Sequence, residues 1–232
     1  MIVGIVFKIF GASYLVERSF MASLGIANIL LTYFIAAKMY DKRTGLLAAF
    51  FLGLSTIAIA TSRAFWLDNP MIFLNLLVFA TILSRSRYSP LISGVFQGLA
   101  VLTKLPSLFL LPASIYLIFR YSKDRWHSIL KFLLAFTIIL SILPIYALVT
   151  GGFEDFLVWN FWQASRMASF ASARVDLLDL ITTSVAFDPL TLMIGALGFF
   201  YCIYKREWFL PIWFLSWGMF IIFSPISGFG SG

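Results

Sequence analysis

The sequence predicts an all-α protein, a polytopic bundle of about eight membrane spans or membrane-embedded helices with interfacial helices on the outer face. Of the 232 residues, 61% are hydrophobic and 12% charged, whereas a soluble domain averages about 45–50% apolar and about 25% charged. The mean hydropathy of +0.97 leaves too little polar surface to cover a soluble globule. This composition also excludes a disordered chain. The single cysteine, Cys202, rules out an intrachain disulfide.

Apolar runs follow one another along the chain, and each is a candidate membrane helix. They cover 19–37, 45–61, 71–83, 91–103, 105–119, 129–149, 190–203 and 208–223. Several are shorter than the roughly 20 residues that cross a bilayer, so flanking residues must complete them. Short loops leave little chain for a soluble unit, and we therefore predict one membrane domain over 1–232.

The stretch 91–119 is too long for one ordinary span, and Lys104 and Pro106 lie near its middle. Basic residues flank it on both sides, at 85–87 and at 120–125. A single span would place these basic groups on opposite membrane faces, against the tendency of cytoplasmic loops to be positive. We therefore predict a hairpin of two short helices with Lys104 at its outer turn.

Charge separates by face in this topology. The inner loops carry eleven basic and three acidic residues, a net of +8, and the outer segments carry six basic and seven acidic residues, a net of −1. The overall charge of +7 is therefore an inner-surface surplus. No nucleic-acid partner is predicted from it.

One long connection, 150–189, lies on the outer side. Aromatic residues alternate there with acidic and basic ones, among them Arg166 and Arg174. Such aromatic residues settle at the headgroup level, so this segment is predicted to form one or two interfacial helices on the membrane. Asp188, near its end, is expected to be solvated.

Ionisable residues near the bilayer are costly and become functional candidates. On the outer face, the segment 61–70 contains Arg63 and Asp68. Asp68 or Asn69 is a candidate helix cap, accepting a hydrogen bond from an orphan backbone N–H. A catalytic or metal-binding role for Asp68 is the competing interpretation. Arg63 either extends to lipid headgroups or binds a substrate.

A second outer segment, 93–106, contains two glycines and a lysine. Gly94 and Gly98 are four residues apart, and this spacing permits close approach of a neighbouring helix. Lys104 lies between two apolar runs on the less basic face. A lysine there pairs with Asp68, binds lipid headgroups or holds a substrate phosphate.

These motifs resemble the dolichyl-phosphate-mannose protein mannosyltransferase superfamily, multi-span glycosyltransferases of the type C fold that include the aminoarabinose transferases. The matching features, in chain order, are Phe10-Gly11-Ala12-Ser13 followed by Arg18, the segment from Arg63 to Asp68, Gly94, Gly98 and Lys104-Leu105-Pro106. The resemblance is close over 1–119 and elsewhere extends only to the pattern of spans.

The resemblance implies transfer of a sugar from a polyprenyl-phosphate donor to a protein, lipid or glycan acceptor, with inversion, on the extracytoplasmic face of the plasma membrane. Asp68 matches the acid after the family's third membrane helix and would orient or activate the acceptor. Arg63 and Lys104, helped by Arg166 or Arg174, would neutralise the departing lipid phosphate. A divalent metal ion is the cofactor to consider.

One departure concerns the family's main catalytic acid, which lies between its first and second membrane helices. This chain begins after that point, and Glu17 does not match the setting of that acid. We expect a chain truncated at its N-terminus and at its C-terminus, incomplete or inactive by itself. A transporter or flippase-like protein and a non-catalytic membrane subunit remain alternatives. The absence of paired broken helices in matching halves of the sequence argues against a transporter.

Overall fold

A computed structural model of the chain describes residues 7–64, 66–158, 182 and 188–223. Every regular element in these residues is a helix, which confirms the predicted all-α class. The helices are α1 (Tyr14–Met39), α2 (Lys42–Leu54), α3 (Thr56–Arg63), α4 (Asp68–Ser84), α5 (Ser89–Thr103), a 3-10 helix (Leu105–Leu110), α6 (Leu111–Tyr121), α7 (Arg125–Val149), α8 (Pro189–Tyr204) and α9 (Phe209–Phe223).

Two of the described helices, α1 and α7, are each long and apolar enough to cross a membrane. A third candidate span is the pair formed by α2 and α3, which bends by 61° between them. Four further elements in the described residues are shorter apolar helices: α4, α5, Leu105–Tyr121 and Leu192–Tyr204 within α8. These helices support a membrane bundle, whereas the count of about eight spans and the single domain over 1–232 stay predictions.

The chain reverses direction at Lys104. This residue ends α5 in an extended conformation (φ −157°, ψ 123°), and the 3-10 helix begins directly after it. The side-chain amide of Gln97 donates to the carbonyl oxygen of Ser107 at 2.9 Å, and the hydroxyl of Ser114 donates to Gln97 Oε1 at 2.9 Å. The second arm therefore runs back along α5, as predicted for 91–119.

Helix α5 lies unusually close to α7. A Cβ atom at Gly94 would overlap the carbonyl oxygen of Phe132, and one at Gly98 would lie 2.7 Å from the side chain of Ile139. No side chain larger than hydrogen fits at either position without movement of the α7 backbone or of a branched side chain. The prediction that these two glycines admit a neighbouring helix is confirmed.

An apolar core holds together the part of the bundle that lies away from Asp68. Phe79 of α4 belongs to one buried cluster with Leu117 of α6, Phe132 of α7 and Phe209 of α9. The rings of Phe79 and Phe209 meet edge to face at 5.2 Å between centroids, an arrangement that aromatic pairs favour. This core fixes the C-terminal half of α4.

The break between α2 and α3 is centred on Ser55. Its hydroxyl accepts a hydrogen bond from the backbone N–H of Ala58 and donates to Asp188 Oδ2 at 2.7 Å. Both Ser55 and Asp188 are buried. The prediction that Asp188 is solvated is therefore wrong. Its carboxylate is buried, and the hydroxyl of Ser55 gives it a polar partner in place of water.

The predicted interfacial segment 150–189 falls mostly outside the described residues. Residues 153–158 are helical, in line with a helical start to the segment. Arg166 and Arg174 lie outside the described residues, so their predicted roles stay predictions.

A carboxylate caps α2 at its N-terminus. Asp41 Oδ1 accepts the backbone N–H of Thr44 at 2.8 Å, and this hydrogen bond is the main reason that the pKa of Asp41 is lowered. A lowered pKa in the folded state means that the cap stabilises at pH values above the normal carboxyl range. Its contribution is lost as the pH falls through the folded pKa.

We expect Asp41→Ala to lower the melting temperature modestly at neutral pH and to match the wild type more closely as the solution is acidified. Thermal unfolding at several pH values measures this. Asp41→Asn is the control, since asparagine is also a good cap but does not titrate. A difference between wild type and Asp41→Ala that does not change with pH would show that ionisation plays no part.

Candidate functional site

An ion pair joins the start of α4 to the turn after α5. Lys104 Nζ lies 2.6 Å from Asp68 Oδ1. The side chains are 40% and 34% exposed, so solvent or a ligand can reach both. Partly exposed pairs of this kind contribute little to folding stability, about 0–1 kcal/mol. The pair therefore adds little to the stability of the fold, and both charged groups are accessible to a ligand.

The helix start explains why Asp68 is available for this pairing. Leu67 occupies the N-cap position of α4, and no side chain caps this helix. The prediction that Asp68 or Asn69 caps α4 is therefore wrong. Because Asp68 lies in the first turn, its carboxylate also benefits from the positive end of the helix dipole.

A buried network of polar side chains lies next to the pair, further into the helix bundle. Asn75 Nδ2 donates to Ser107 Oγ at 3.0 Å, and Gln97 Nε2 donates to Asn75 Oδ1 at 3.4 Å. Together with the hydrogen bonds from Gln97 to Ser107 and from Ser114 to Gln97, these join α4, α5, the 3-10 helix and α6. All four side chains are buried. The network thus links α4 to the hairpin turn, two helical turns along α4 from Asp68 and along α5 from Lys104.

A second buried contact fixes the first turn of α4 against α1. Asn69 Nδ2 donates to the carbonyl oxygen of Met21 at 2.8 Å, and Asn28 Nδ2 donates to Asn69 Oδ1 at 2.7 Å. Asn28 Oδ1 is buried and has no partner among the described residues. Asn28 and Asn69 also line a small cavity between α1 and the bent pair α2 and α3. Asn69 therefore positions its neighbour Asp68 rather than capping the helix.

The remaining candidates are placed differently. Arg63 is the last residue of α3 and is exposed. It forms no ion pair with any residue that the structure describes. Arg166 is outside the described ranges, so the structure brings together only Asp68 and Lys104 of the predicted set. Within the described residues, no three His, Cys, Asp or Glu side chains cluster as metal ligands.

Sequence reasoning missed the polar network. The sequence signal for this network is a spacing of seven residues, about two helical turns, between a charged residue and an amide residue. This spacing occurs once in α4 and once in α5. Asn75 follows Asp68 by seven, and Gln97 precedes Lys104 by seven. Because α4 and α5 run antiparallel, these equal spacings place Asn75 beside Gln97, two helical turns from the pair of Asp68 and Lys104.

The fold and the site define an integral membrane protein with a charged pair at one end of packed, antiparallel apolar helices. A sequence profile of the dolichyl-phosphate-mannose-protein mannosyltransferase family matches residues 1–147. The chain belongs to this family, as its motifs predicted.

A relative in Aquifex aeolicus (strain VF5), named only as an uncharacterized protein, is 36% identical over 131 residues. The alignment covers 53% of this chain and 26% of that protein. The chain thus spans about a quarter of the length of this relative. No solved structure matches the chain.

Proposed function

We propose that the chain forms part of a membrane glycosyltransferase that moves a sugar from a polyprenyl-phosphate donor to an acceptor on the extracytoplasmic face of the cell membrane. Membership of the mannosyltransferase family supports this proposal. The structural observation that carries it is the accessible pair of Asp68 and Lys104. It supplies a carboxylate and a cation side by side at the end of the helices.

Each half of this pair has a chemical role in glycosyl transfer. The lysine binds the donor phosphate and stabilises the negative charge that the phosphate gains as it leaves. Asp68, released from Lys104 by the phosphate, accepts the proton of the acceptor nucleophile. A bond forms between the acceptor and the anomeric carbon, the bond from that carbon to the phosphate oxygen breaks, and polyprenyl phosphate departs.

The arginines are proposed as helpers around the same phosphate. Arg63 is exposed at the end of α3, shortly before the chain enters α4 at Asp68. Arg166 would contribute from the outer segment. The polyprenyl chain would lie along apolar side chains that the bundle leaves exposed, such as Trp66 and Leu105. A divalent metal ion, if required, would draw on Asp68 and a ligand contributed from elsewhere.

A transfer assay tests this proposal. Membranes from cells that express the intact gene product are supplied with a radiolabelled polyprenyl-phosphate sugar or with the nucleotide sugar. We expect label from the lipid-linked donor in the acceptor fraction, and none from the nucleotide sugar once synthesis of the lipid donor is blocked. Transfer that is equal in membranes lacking the protein would contradict the proposal.

One observation favours the transporter alternative, namely the 61° break between α2 and α3 with a buried carboxylate bonded to it. Broken helices are common in transporters. The same labelled donor, enclosed in sealed vesicles, distinguishes the two functions. A transporter would move intact donor across the membrane, whereas a glycosyltransferase would consume it.

The proposed face makes a separate prediction. In a Cys202→Ser background, a cysteine at Leu105 should react with a membrane-impermeant maleimide added to intact cells. A cysteine at Lys123 should react only after the cells are opened, because the positive-inside tendency places it in the cytoplasm. Labelling of the Lys123 position from outside would reverse the topology.

A further inference from the structure

A second polar site lies at the far end of α4 and α5 from Asp68 and Lys104. These helices have 17 and 15 residues, which at 1.5 Å per residue separates their ends by about 22–25 Å. The hydrocarbon core of a bilayer is about 30 Å thick. With Asp68 and Lys104 at the outer surface, as proposed above, the far end lies near the inner membrane surface. A cavity of about 350 Å³ opens there between the turn joining α4 to α5 and the turn joining α6 to α7.

The lining of this cavity is strongly basic. Arg85, Arg87 and Lys123 line it together with one carboxylate, Asp124. Asp124 Oδ1 accepts the backbone N–H of His127 and thereby caps α7. The ion pairs found in the described part of the chain, Lys104 with Asp68 and Arg120 with Glu207, use none of the three cations. With three cations against one carboxylate, the lining of the cavity carries a net positive charge.

Arg85 occupies a backbone position that favours glycine, and its side chain lies at the cavity wall. Arg85 ends α4 in the left-handed conformation (φ 54°, ψ 25°), which glycine adopts without cost and other residues adopt only with strain. Its guanidinium lies 4.9 Å from the centre of the Tyr121 ring, an attractive cation–π contact. Arg85 thus keeps a cation at the cavity wall at a backbone position where glycine would be less strained.

We propose that this cavity binds the phosphate headgroup of an anionic phospholipid. Arginine side chains donate paired hydrogen bonds to phosphate oxygens, and lysine adds a point charge. The cavity lies at the level of the headgroups, and exposed Tyr88 and Trp126 flank its two turns. Such side chains lie at the membrane interface, beside lipid rather than in bulk water. These neighbours favour a lipid over free phosphate, and the site is separate from the proposed transfer site.

The test compares the thermal stability of the full chain in nanodiscs of phosphatidylcholine with that in nanodiscs that also contain phosphatidylglycerol. We expect phosphatidylglycerol to raise the melting temperature by about 3–6 °C if it exceeds its dissociation constant about tenfold. Inorganic phosphate added to the phosphatidylcholine discs should leave the melting temperature unchanged. The test variant carries both Arg85→Gly and Lys123→Gln. The matched control is Arg43→Gln, because Arg43 is an exposed arginine of α2 outside the cavity.

Arg85→Gly is chosen because it removes the charge while relieving the backbone strain, so the variant should fold. The proposal holds if the shift persists in Arg43→Gln and disappears in the double variant. It is overturned if the double variant keeps the shift, or if phosphatidylglycerol has no effect on the wild type. It is also overturned if inorganic phosphate reproduces the shift, since the ligand would then be a soluble anion.

Discussion

Valine in place of Gly94 is expected to abolish most of the folded protein. A Cβ at this position overlaps the carbonyl oxygen of Phe132 and lies 2.9 Å from the Cβ of Ala135. The obstacle is backbone, which cannot rotate away as a flexible side chain would. Helix α5 must therefore separate from α7. Overpacked core positions cost about 1–3 kcal/mol, and more where the backbone must move.

The measurement is the yield of monodisperse protein in detergent together with its melting temperature. A loss of about 3 kcal/mol corresponds to a fall of about 6–12 °C for a chain of this size. Gly195→Val is the matched control, because Gly195 lies inside α8 and a Cβ added there meets nothing within 4 Å. An equal loss of stability in both variants would mean that replacing a helical glycine by valine is destabilising in itself. The close approach of α5 to α7 would then not explain the requirement for Gly94.

The membrane class, the close approach of a neighbouring helix at Gly94 and Gly98, and the reversal at Lys104 were predictable because each depends on local signals. Which helix approaches, α7, is known only from the structure. A lysine followed by proline interrupts an apolar stretch, and two glycines four apart mark one helix face. The break at Ser55 was not predictable, because 45–61 reads as one apolar run. Ser55 bonds to Asp188, which lies 133 residues away in the chain. A contact over that distance leaves no mark on local hydropathy.

The candidate site was predictable in part. Pairing of Lys104 with Asp68 was one of several expectations, and the structure shows the pair at 2.6 Å. The network beneath it was missed because an amide inside an apolar run has no visible partner in a single sequence. Once α4 and α5 are known to be antiparallel, the partners of Asn75 and Gln97 follow from their seven-residue offsets.

Removing either member of the pair is expected to reduce sugar transfer by about 100-fold or more. Lys104→Gln removes the cation that stabilises the leaving phosphate, and Asp68→Asn removes the group that accepts the proton. Thermal stability should change by less than about 1 kcal/mol, because the pair is partly exposed. Initial transfer rates and melting temperatures of the same membrane preparations measure both effects.

A matched pair at the other end of the bundle provides the control. Arg120 and Glu207 form a two-bonded ion pair at 2.6 and 3.0 Å, which is remote from the proposed transfer site. Glu207→Gln should lower stability slightly while leaving the transfer rate close to that of the wild type. If it reduces transfer as strongly as Asp68→Asn does, loss of any ion pair is sufficient and the assignment to Asp68 fails.

Exchanging the two charges separates chemistry from structure. The double variant Asp68→Lys with Lys104→Asp can restore an ion pair between α4 and the hairpin turn, so its melting temperature should approach that of the wild type. Its transfer rate should stay as low as in the single variants, because phosphate would now meet a carboxylate at position 104 and the acceptor would meet an ammonium at position 68. Recovery of transfer would mean that the pair acts only by holding the helices together. Since an exposed pair contributes so little to stability, loss of transfer without loss of stability is the outcome that a binding and proton-transfer role requires.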